Sequence, residues 1–292
     1  MKKTLIVQAP AKINVGLWVK NKRPDGYHDL ETIFQTISLE DTITLHESFE
    51  SGIRVFCNNP NVPSGQDNIV FKAARIFLER MGIEPALDIR IEKRIPMAAG
   101  LAGGSTDAAS VLTGLPRLFE RTVTPDILME MASYIGSDVP FLIRGGLAVG
   151  AGRGEKLEYY EQPKTPLTVV VVIPTDVAVS TKWCYENYTP GNNDMKGRAF
   201  GMILEAYQKR DLGSLKKLVF NDLESVTLHR YPIVQKIKEQ LSASGEGVVL
   251  MSGSGPSVFG LFDNKRKACE ALKALKGMPV EVFVEHTCRK KY

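Results

Sequence analysis

The stretch Lys93-Arg94-Ile95-Pro96-Met97-Ala98-Ala99-Gly100-Leu101-Ala102-Gly103-Gly104-Ser105-Thr106-Asp107 has the clearest chemical content in the sequence. Its small residues, from Pro96 to Thr106, let a backbone come close to a ligand, and glycine accepts the dihedrals of a tight loop. The alternating segment Leu87–Lys93 ahead of it predicts a half-buried strand, and Asp107–Leu115 behind it predicts a helix. The first turn of a helix placed there presents unpaired N–H groups and the positive end of its dipole, an anion site suited to phosphates. Ser105 and Thr106 add hydroxyls able to bond a phosphate oxygen or a metal ion. The string is not a Walker A loop, since no Gly-Lys-Ser/Thr follows, and Gly100-Leu101-Ala102-Gly103-Gly104 does not fit GxGxxG. A tight strand-to-helix turn without a ligand is the alternative.

Other residues carry chemistry only in the right surroundings. Asp138 follows Gly136 at a predicted helix end, which would put a carboxylate on a loop facing a cleft or leave it capping the next segment. Lys12, between Ala11 and Ile13, reads by itself as a strand residue whose stem snorkels. Tyr27-His28 follows the turn signal Asp25-Gly26 and reads by itself as surface. Asn68 has the character of a helix cap and Lys93 of a charge at a strand edge. Ser252-Gly253-Ser254-Gly255-Pro256 is a second glycine-rich turn, which a plain hairpin also explains. Cys57, Cys184, Cys269 and Cys288 are scattered without a CxxC pair, which argues against a zinc site and a disulfide framework. His46, His229 and His286 take no role.

The elements that must position these residues change rhythm halfway. Strand signals at Thr4–Ala9, Ile13–Lys20, Leu30–Ser38, Thr42–Glu47 and Ile53–Cys57 come first. A helix over Asn68–Met81, stopped by Gly82, follows, and Thr124-Pro125-Asp126 starts another that Gly136 closes. The run Leu167–Ile173 suits a strand buried on both faces. Helices are expected at Arg198–Lys209, Leu212–Val219, Ile233–Ser242 and Lys265–Leu275, and strands at Gly247–Met251, Ser257–Phe262 and Val280–Val284. The 292 residues suggest two domains at about 150 residues each. The polar, proline-bearing stretch between Gly154 and Pro166 places the boundary, giving 1–160 and 161–292 and an α+β class.

A net charge of +4 is too small to imply nucleic-acid binding, and the Arg289-Lys290-Lys291 tract reads as a solvated tail. The apolar start Leu5–Ala9 is shorter than a signal-peptide core, and nothing approaches about 20 apolar residues. A cytoplasmic protein without a membrane partner is expected.

The loop resembles the nucleotide-binding motif of the GHMP kinases. Its neighbours narrow the likeness: Ala9-Pro10-Ala11-Lys12-Ile13-Asn14, Asp25-Gly26-Tyr27-His28, Gly136-Ser137-Asp138-Val139-Pro140-Phe141 and Ser252–Pro256 recur in that order in one branch. That branch comprises the 4-diphosphocytidyl-2-C-methyl-D-erythritol kinases of the non-mevalonate isoprenoid pathway, and the likeness runs from Ala9 to about Phe262. It implies an N-terminal α+β domain, a C-terminal ferredoxin-like α/β plait, and transfer of the γ-phosphate of ATP to the substrate 2-hydroxyl. Pro96–Thr106 would hold ATP, with Asn68 and Lys93 near the adenine. Asp138 would be the catalytic base and Lys12 its partner. Tyr27 would stack on the cytosine and His28 bond its edge; Tyr185, with Trp183 as the alternative, would cover the other face. Thr181 belongs to the same substrate-binding stretch, and Asn14 would lie near the diphosphate or the acceptor end. The partner implied is a small molecule carrying a cytidine diphosphate group. Mg²⁺ is expected with ATP, resting on phosphate oxygens and water with Ser105 or Thr106 as candidate ligands. Many such loops carry glycine where this chain has Ala98, Ala99 and Ala102, a change tolerated wherever φ is negative. Two other readings stay open: a GHMP kinase for another alcohol, such as homoserine or a mevalonate derivative, and a nucleotide-binding protein without catalysis.

Overall fold

Alternating β-branched and apolar residues carry the chain out along β1 (Thr4–Lys22) and back along β2 (His28–Glu47) as one long antiparallel ribbon. The sequence predicts two strands in each half. The structure instead runs through, because register shifts at Pro10/Lys12 and Asn14/Gly16 absorb the proline and the glycine as bulges. The computed structural model describes residues 2–191 and 195–289, so Lys290 and Lys291 of the expected basic tail lie outside the described residues.

β3 (Gly52–Cys57) lies parallel to β4 (Ala86–Glu92), joined by α1 (Ile69–Met81). Asn68 caps α1 through Oδ1, which accepts the Val70 N–H at 2.8 Å, and Gly82 ends it with φ of 61°. α2 (Gly103–Leu118), α3 (Pro125–Ser133) and α4 (Val139–Arg144) follow. β5 (Leu147–Gly152) and β6 (Lys156–Tyr160) then extend the first sheet to the order β3-β4-β2-β5-β6, with β1 also on β2. β6 therefore falls inside the Gly154–Pro166 stretch expected as a linker. Its pairing of Lys156–Tyr160 with Ala151–Leu147 holds it in the sheet. The helices bury Val70, Phe77, Val111 and Leu115 against Ile43, Leu45 and Ile89 of the strands.

The second half supplies β7 (Thr168–Pro174), α5 (Thr181–Glu186), α6 (Met195–Gln208), α7 (Leu212–Leu218), α8 (Glu224–Arg230) and α9 (Pro232–Ser242). β8 (Val248–Met251), β9 (Val258–Phe262), α10 (Lys265–Leu272), a short 3-10 turn at Lys273–Leu275 and β10 (Val280–His286) complete it. The sheet order β10-β7-β9-β8, all antiparallel, is that of a ferredoxin-like plait. The run of valines in β7 is buried on both faces, as its composition predicts. Val169 and Val171 pack with Ile13, Val15 and Ile33 of the first sheet, while Val170 and Val172 pack with Val234, Ile237 and Leu241 of α9. The edges of the site are thus set by two sheets that share one apolar layer. Among the described residues no helix is long and apolar enough to cross a membrane.

Candidate active site

A cavity of about 1040 Å³ opens between the glycine-rich loop, the middle of β1 and β2, and α5. Lys12, Asn14, Tyr27, His28, Asn68, Lys93, Asp138, Thr181 and Tyr185 all line it, as do Pro96–Gly100 and Ala102–Ser105.

The phosphate loop departs from expectation in three ways. The helix begins at Gly103 rather than Asp107, so the last residues of the predicted loop, Gly103–Thr106, are the first turn of α2. Thr106 N–H makes the first intrahelical bond, to Ala102 C=O at 2.9 Å, so the amides of Gly103, Gly104 and Ser105 have no helical partner. Second, only one of the two hydroxyls faces the cavity. Thr106 is fully buried and donates to the Pro10 carbonyl at 2.8 Å, and Leu101 is turned into the core. Ser105 alone remains a candidate for the role expected of both. Third, Ala98 and Ala102 have φ of 52° and 58°, in the left-handed region, so the condition under which alanine replaces glycine without strain is met only at Ala99.

The loop is fastened from the far domain. Ser252 Oγ donates to Gly100 C=O at 3.0 Å, and Ser257 Oγ donates to Ala99 C=O. Gly100 itself has φ of 74°, and a Cβ there would overlap the Ser252 carbonyl oxygen. The second glycine-rich turn is the hairpin between β8 and β9 and, at the same time, a docking surface for the first.

Two residues apart on β1, Lys12 and Asn14 share a strand face. Buried Lys12 donates to Asn14 Oδ1 at 2.7 Å and to Gly100 C=O at 3.1 Å, with Asp138 Oδ2 3.7 Å away. An ammonium has three donors: two go to Asn14 and Gly100, and the third faces Asp138, beside which a group entering the cavity would come. Burial lowers the Lys12 pKa, and the charge of Asp138 works against that fall. Asp138 precedes α4 but makes no side-chain capping bond, so the capping alternative has no support in its geometry. Asn14 Nδ2 donates to Thr32 Oγ1 at 2.7 Å, and Thr32 Oγ1 donates to Gly16 C=O at 2.9 Å. That chain fixes the amide orientation, and Thr32 gave no sign of its part in the sequence.

Lys93 is not a free strand-edge charge. Its ammonium is bound by Asp41 Oδ2 and by Asp107 Oδ2, the latter at 2.9 Å. Sequence reading missed both carboxylates, Asp41 because it falls between two predicted strands and Asp107 because it passes for a helix residue.

The opposite wall is aromatic. His28 and Tyr185 have ring centroids 5.6 Å apart, tilted by 30°. Burial lowers the His28 pKa, with Lys22 adding to the effect, so the imidazole is neutral at pH 7. Burial raises the Tyr185 phenol, and Asp138 adds to that rise. Tyr27 is half exposed, with the Arg153 guanidinium 5.0 Å from its ring centroid. Thr181 Oγ1 lies 3.0 Å from Ser254 Oγ, tying α5 to the second glycine turn. Trp183 packs edge-on against Tyr231 at 6.0 Å and does not line the cavity, which leaves Tyr185 as the aromatic facing it.

A neutral imidazole beside two tyrosines suits a heteroaromatic base, and helix amides opposite suit phosphates, with a lysine–carboxylate pair between them. Comparison with known proteins points the same way. The description "GHMP kinases N terminal domain" matches residues 68–146, and "GHMP kinases C terminal" matches residues 203–279. The 4-diphosphocytidyl-2-C-methyl-D-erythritol kinase of Acetivibrio thermocellus is 41% identical over 285 residues, covering 97% of this chain and 99% of its own. The enzyme of the same name from Geobacter metallireducens is 43% identical, covering 94% of each. A crystal structure of 4-(cytidine 5'-diphospho)-2C-methyl-D-erythritol kinase superposes with a TM-score of 0.80 at 34% identity, over 97% of this chain and 99% of that one. With both halves of the fold and nearly the whole length matched, the chain belongs to the GHMP kinases, in the family of the 4-diphosphocytidyl-2-C-methyl-D-erythritol kinases.

Proposed function

We propose that this small-molecule kinase transfers the γ-phosphate of ATP to the 2-hydroxyl of 4-diphosphocytidyl-2-C-methyl-D-erythritol, a step of non-mevalonate isoprenoid precursor biosynthesis. The observation that carries the reading is the Lys12–Asp138 pair at 3.7 Å, lining the same cavity as the helix amides and the aromatic wall. Phosphoryl transfer asks for positioning and charge stabilisation more than for covalent chemistry. The triphosphate of MgATP lies over the amides of Gly103, Gly104 and Ser105. The substrate cytosine is held by Tyr27, His28 and Tyr185, with Thr181 in the same substrate-binding stretch and Asn14, bonded to Lys12, toward the diphosphate or the acceptor end. Asp138 takes the proton of the 2-hydroxyl as the oxygen attacks. The third donor of Lys12 meets the negative charge that develops between acceptor oxygen and phosphoryl group.

Among the described residues no cluster of three or more His, Cys, Asp or Glu could cage a metal ion, and the carboxylates of Asp41 and Asp107 already face Lys93. Mg²⁺ would enter as the MgATP complex, with phosphate oxygens and water as its ligands and the Ser105 hydroxyl as a candidate protein donor. Asn68 spends its side chain on the α1 cap and on the Pro63 carbonyl, so its contribution to the adenine side is the wall it forms. The working division into 1–160 and 161–292, a cytoplasmic location and the absence of a nucleic-acid partner belong to the same reading.

Incubation of the purified protein with ATP, Mg²⁺ and 4-diphosphocytidyl-2-C-methyl-D-erythritol tests it. Substrate-dependent ADP release with one phosphate added at the 2-hydroxyl is expected. ATP binding without turnover of that alcohol would sink the substrate assignment.

A further inference from the structure

Asp41, Lys93 and Asp107 form a buried cluster at the base of the glycine-rich loop, and Lys93 and Asp107 reach the cavity from there. Asp41 sits on β2, where its Oδ1 accepts the backbone N–H of Arg94 at 2.6 Å and of Ile95 at 2.8 Å. These amides begin the loop. The other oxygen of Asp41 accepts from the Lys93 ammonium, which donates in turn to Asp107 on α2, where the loop ends. One side-chain bridge therefore ties both ends of the loop to the same strand. The ammonium lies directly behind the first helical residue: a Cβ on Gly103 would come 3.1 Å from Lys93 Nζ.

We propose that Asp41, Lys93 and Asp107 are positioning residues for ATP, setting the first turn of α2 at the angle at which its amides receive the triphosphate. The inference rests on the reading of the loop as the ATP site.

Stability alone is a poor reason for such a cluster. Ion pairs taken out of water recover little more than their desolvation, and apolar residues of the same volume often serve as well. Asp107 is the poorest served member, since its Oδ1 is buried and receives no hydrogen bond from a described residue. A carboxylate kept there under those conditions fixes a geometry. Charge fits the same picture. Burial pushes the Asp107 carboxyl well above the ordinary carboxylate range, Lys93 pulls it back and Asp41 adds to the rise. Burial and Asp41 thus act together against the charged form of Asp107, with Lys93 opposing them.

The test compares wild type, Asp107→Ala and Asp107→Asn by calorimetric binding of the Mg²⁺ complex of AMP-PNP, an ATP analogue that does not transfer its phosphate, and by steady-state kinetics. Asp107→Ala is expected to weaken analogue binding and raise KM for ATP by about tenfold, with KM for the alcohol within about twofold. Asp107→Asn keeps an oxygen for Lys93 and is expected to recover most of the affinity. Unchanged analogue affinity in Asp107→Ala, or equal losses for both substrates, overturns the proposal. If the alanine variant does not fold, Asp41→Asn takes its place at the start of the loop, where the same split is expected and its absence is equally fatal. Wild type that fails to bind the analogue overturns the nucleotide reading and the inference together, whereas a binding wild type with an indifferent Asp107 overturns only the inference.

Discussion

Replacing Ala98 and Ala102 with glycine should stabilise the protein, contrary to the usual effect of putting glycine in a loop. Both alanines hold a left-handed backbone, with φ of 52° and 58°. For an L-residue with a Cβ that conformation costs about 1–2 kcal/mol, because the Cβ crowds the following carbonyl oxygen. Glycine removes the crowding but adds freedom to the unfolded chain, worth about 0.5–1 kcal/mol against it. The difference leaves a net gain of about 0.5–1 kcal/mol at each site. The double variant would gain about 1–2 kcal/mol if the two sites, on one loop, act independently. For a chain of this size that corresponds to a rise in Tm of about 3 °C. Calorimetry and urea unfolding of the single variants, the pair and Ala99→Gly would measure it. Ala99 is buried and is not among the residues with positive φ, so the same change there should lower stability by about 0.5–1 kcal/mol. A loss at positions 98 and 102 equal to that at 99 would refute the strain. The stabilised variants should also bind ATP somewhat more weakly, since the strained backbone is part of what holds the loop ready.

Three other outcomes follow from the site. Asp138→Asn should lower kcat by about 10²–10⁴-fold while ATP affinity stays within about threefold, and near-normal turnover would remove Asp138 from the mechanism. His28 is shifted below its ordinary value of about 6.5 by burial and Lys22, so KM for the cytidine substrate should stay flat above neutrality and rise only as pH falls through the folded value. The same depressed value means the unfolded chain binds more protons in that window, so this residue's share of stability is also lost as pH falls; His28→Gln should flatten the KM profile, and a flat profile in wild type would refute the assignment. Gly100→Ala combines a φ of 74° with overlap on the Ser252 carbonyl oxygen, and should cost about 2–4 kcal/mol of stability with loss of ATP binding. Normal ATP affinity in that variant would show that the two glycine turns need not dock.

What the sequence made legible was whatever the backbone demands locally. The Asn68 cap, the Gly82 stop and the Thr124-Pro125 start are instructions confined to a few residues, and the structure carries out all three. The glycine-rich loop was legible for the same reason, because close backbone approach requires small side chains. β5 and β6 were not. Ala148, Gly150, Ala151 and Gly152 have weak strand preference, and β5 exists because Leu30–Gln35 of β2 pairs with it. α4 and α5, of six residues each, are too short for a helical period to show. Gly103 and Gly104 read as loop because glycine is a poor helix former, yet they begin α2. The site followed the same division. Residue types suited to the chemistry could be picked out, whereas the partners that aim them, Thr32 for Asn14 and Asp41 and Asp107 for Lys93, come from distant strands and helices.

Lys12 shows why the pair at the centre has to be understood as one unit. Its burial disfavours the ammonium, and the opposing influence comes from Asp138. The Asp138 carboxylate therefore supports the Lys12 cation, and a change at Asp138 is felt at Lys12. Their register against the nucleotide is set by a main-chain oxygen: Gly100 C=O accepts from Lys12 at 3.1 Å and from Ser252 Oγ at 3.0 Å. That carbonyl belongs to the glycine-rich loop, so a displacement of the loop moves the lysine that the proposed mechanism sets against the acceptor oxygen. It follows that a loss of kcat in Asp138→Asn contains two parts, the missing base and a Lys12 whose charge is less well supported. A defect in loop position would reach the chemistry by the second part alone. The two are separable because, in the proposed mechanism, the base acts on the acceptor hydroxyl, whereas the lysine is tied to the loop proposed to hold the triphosphate.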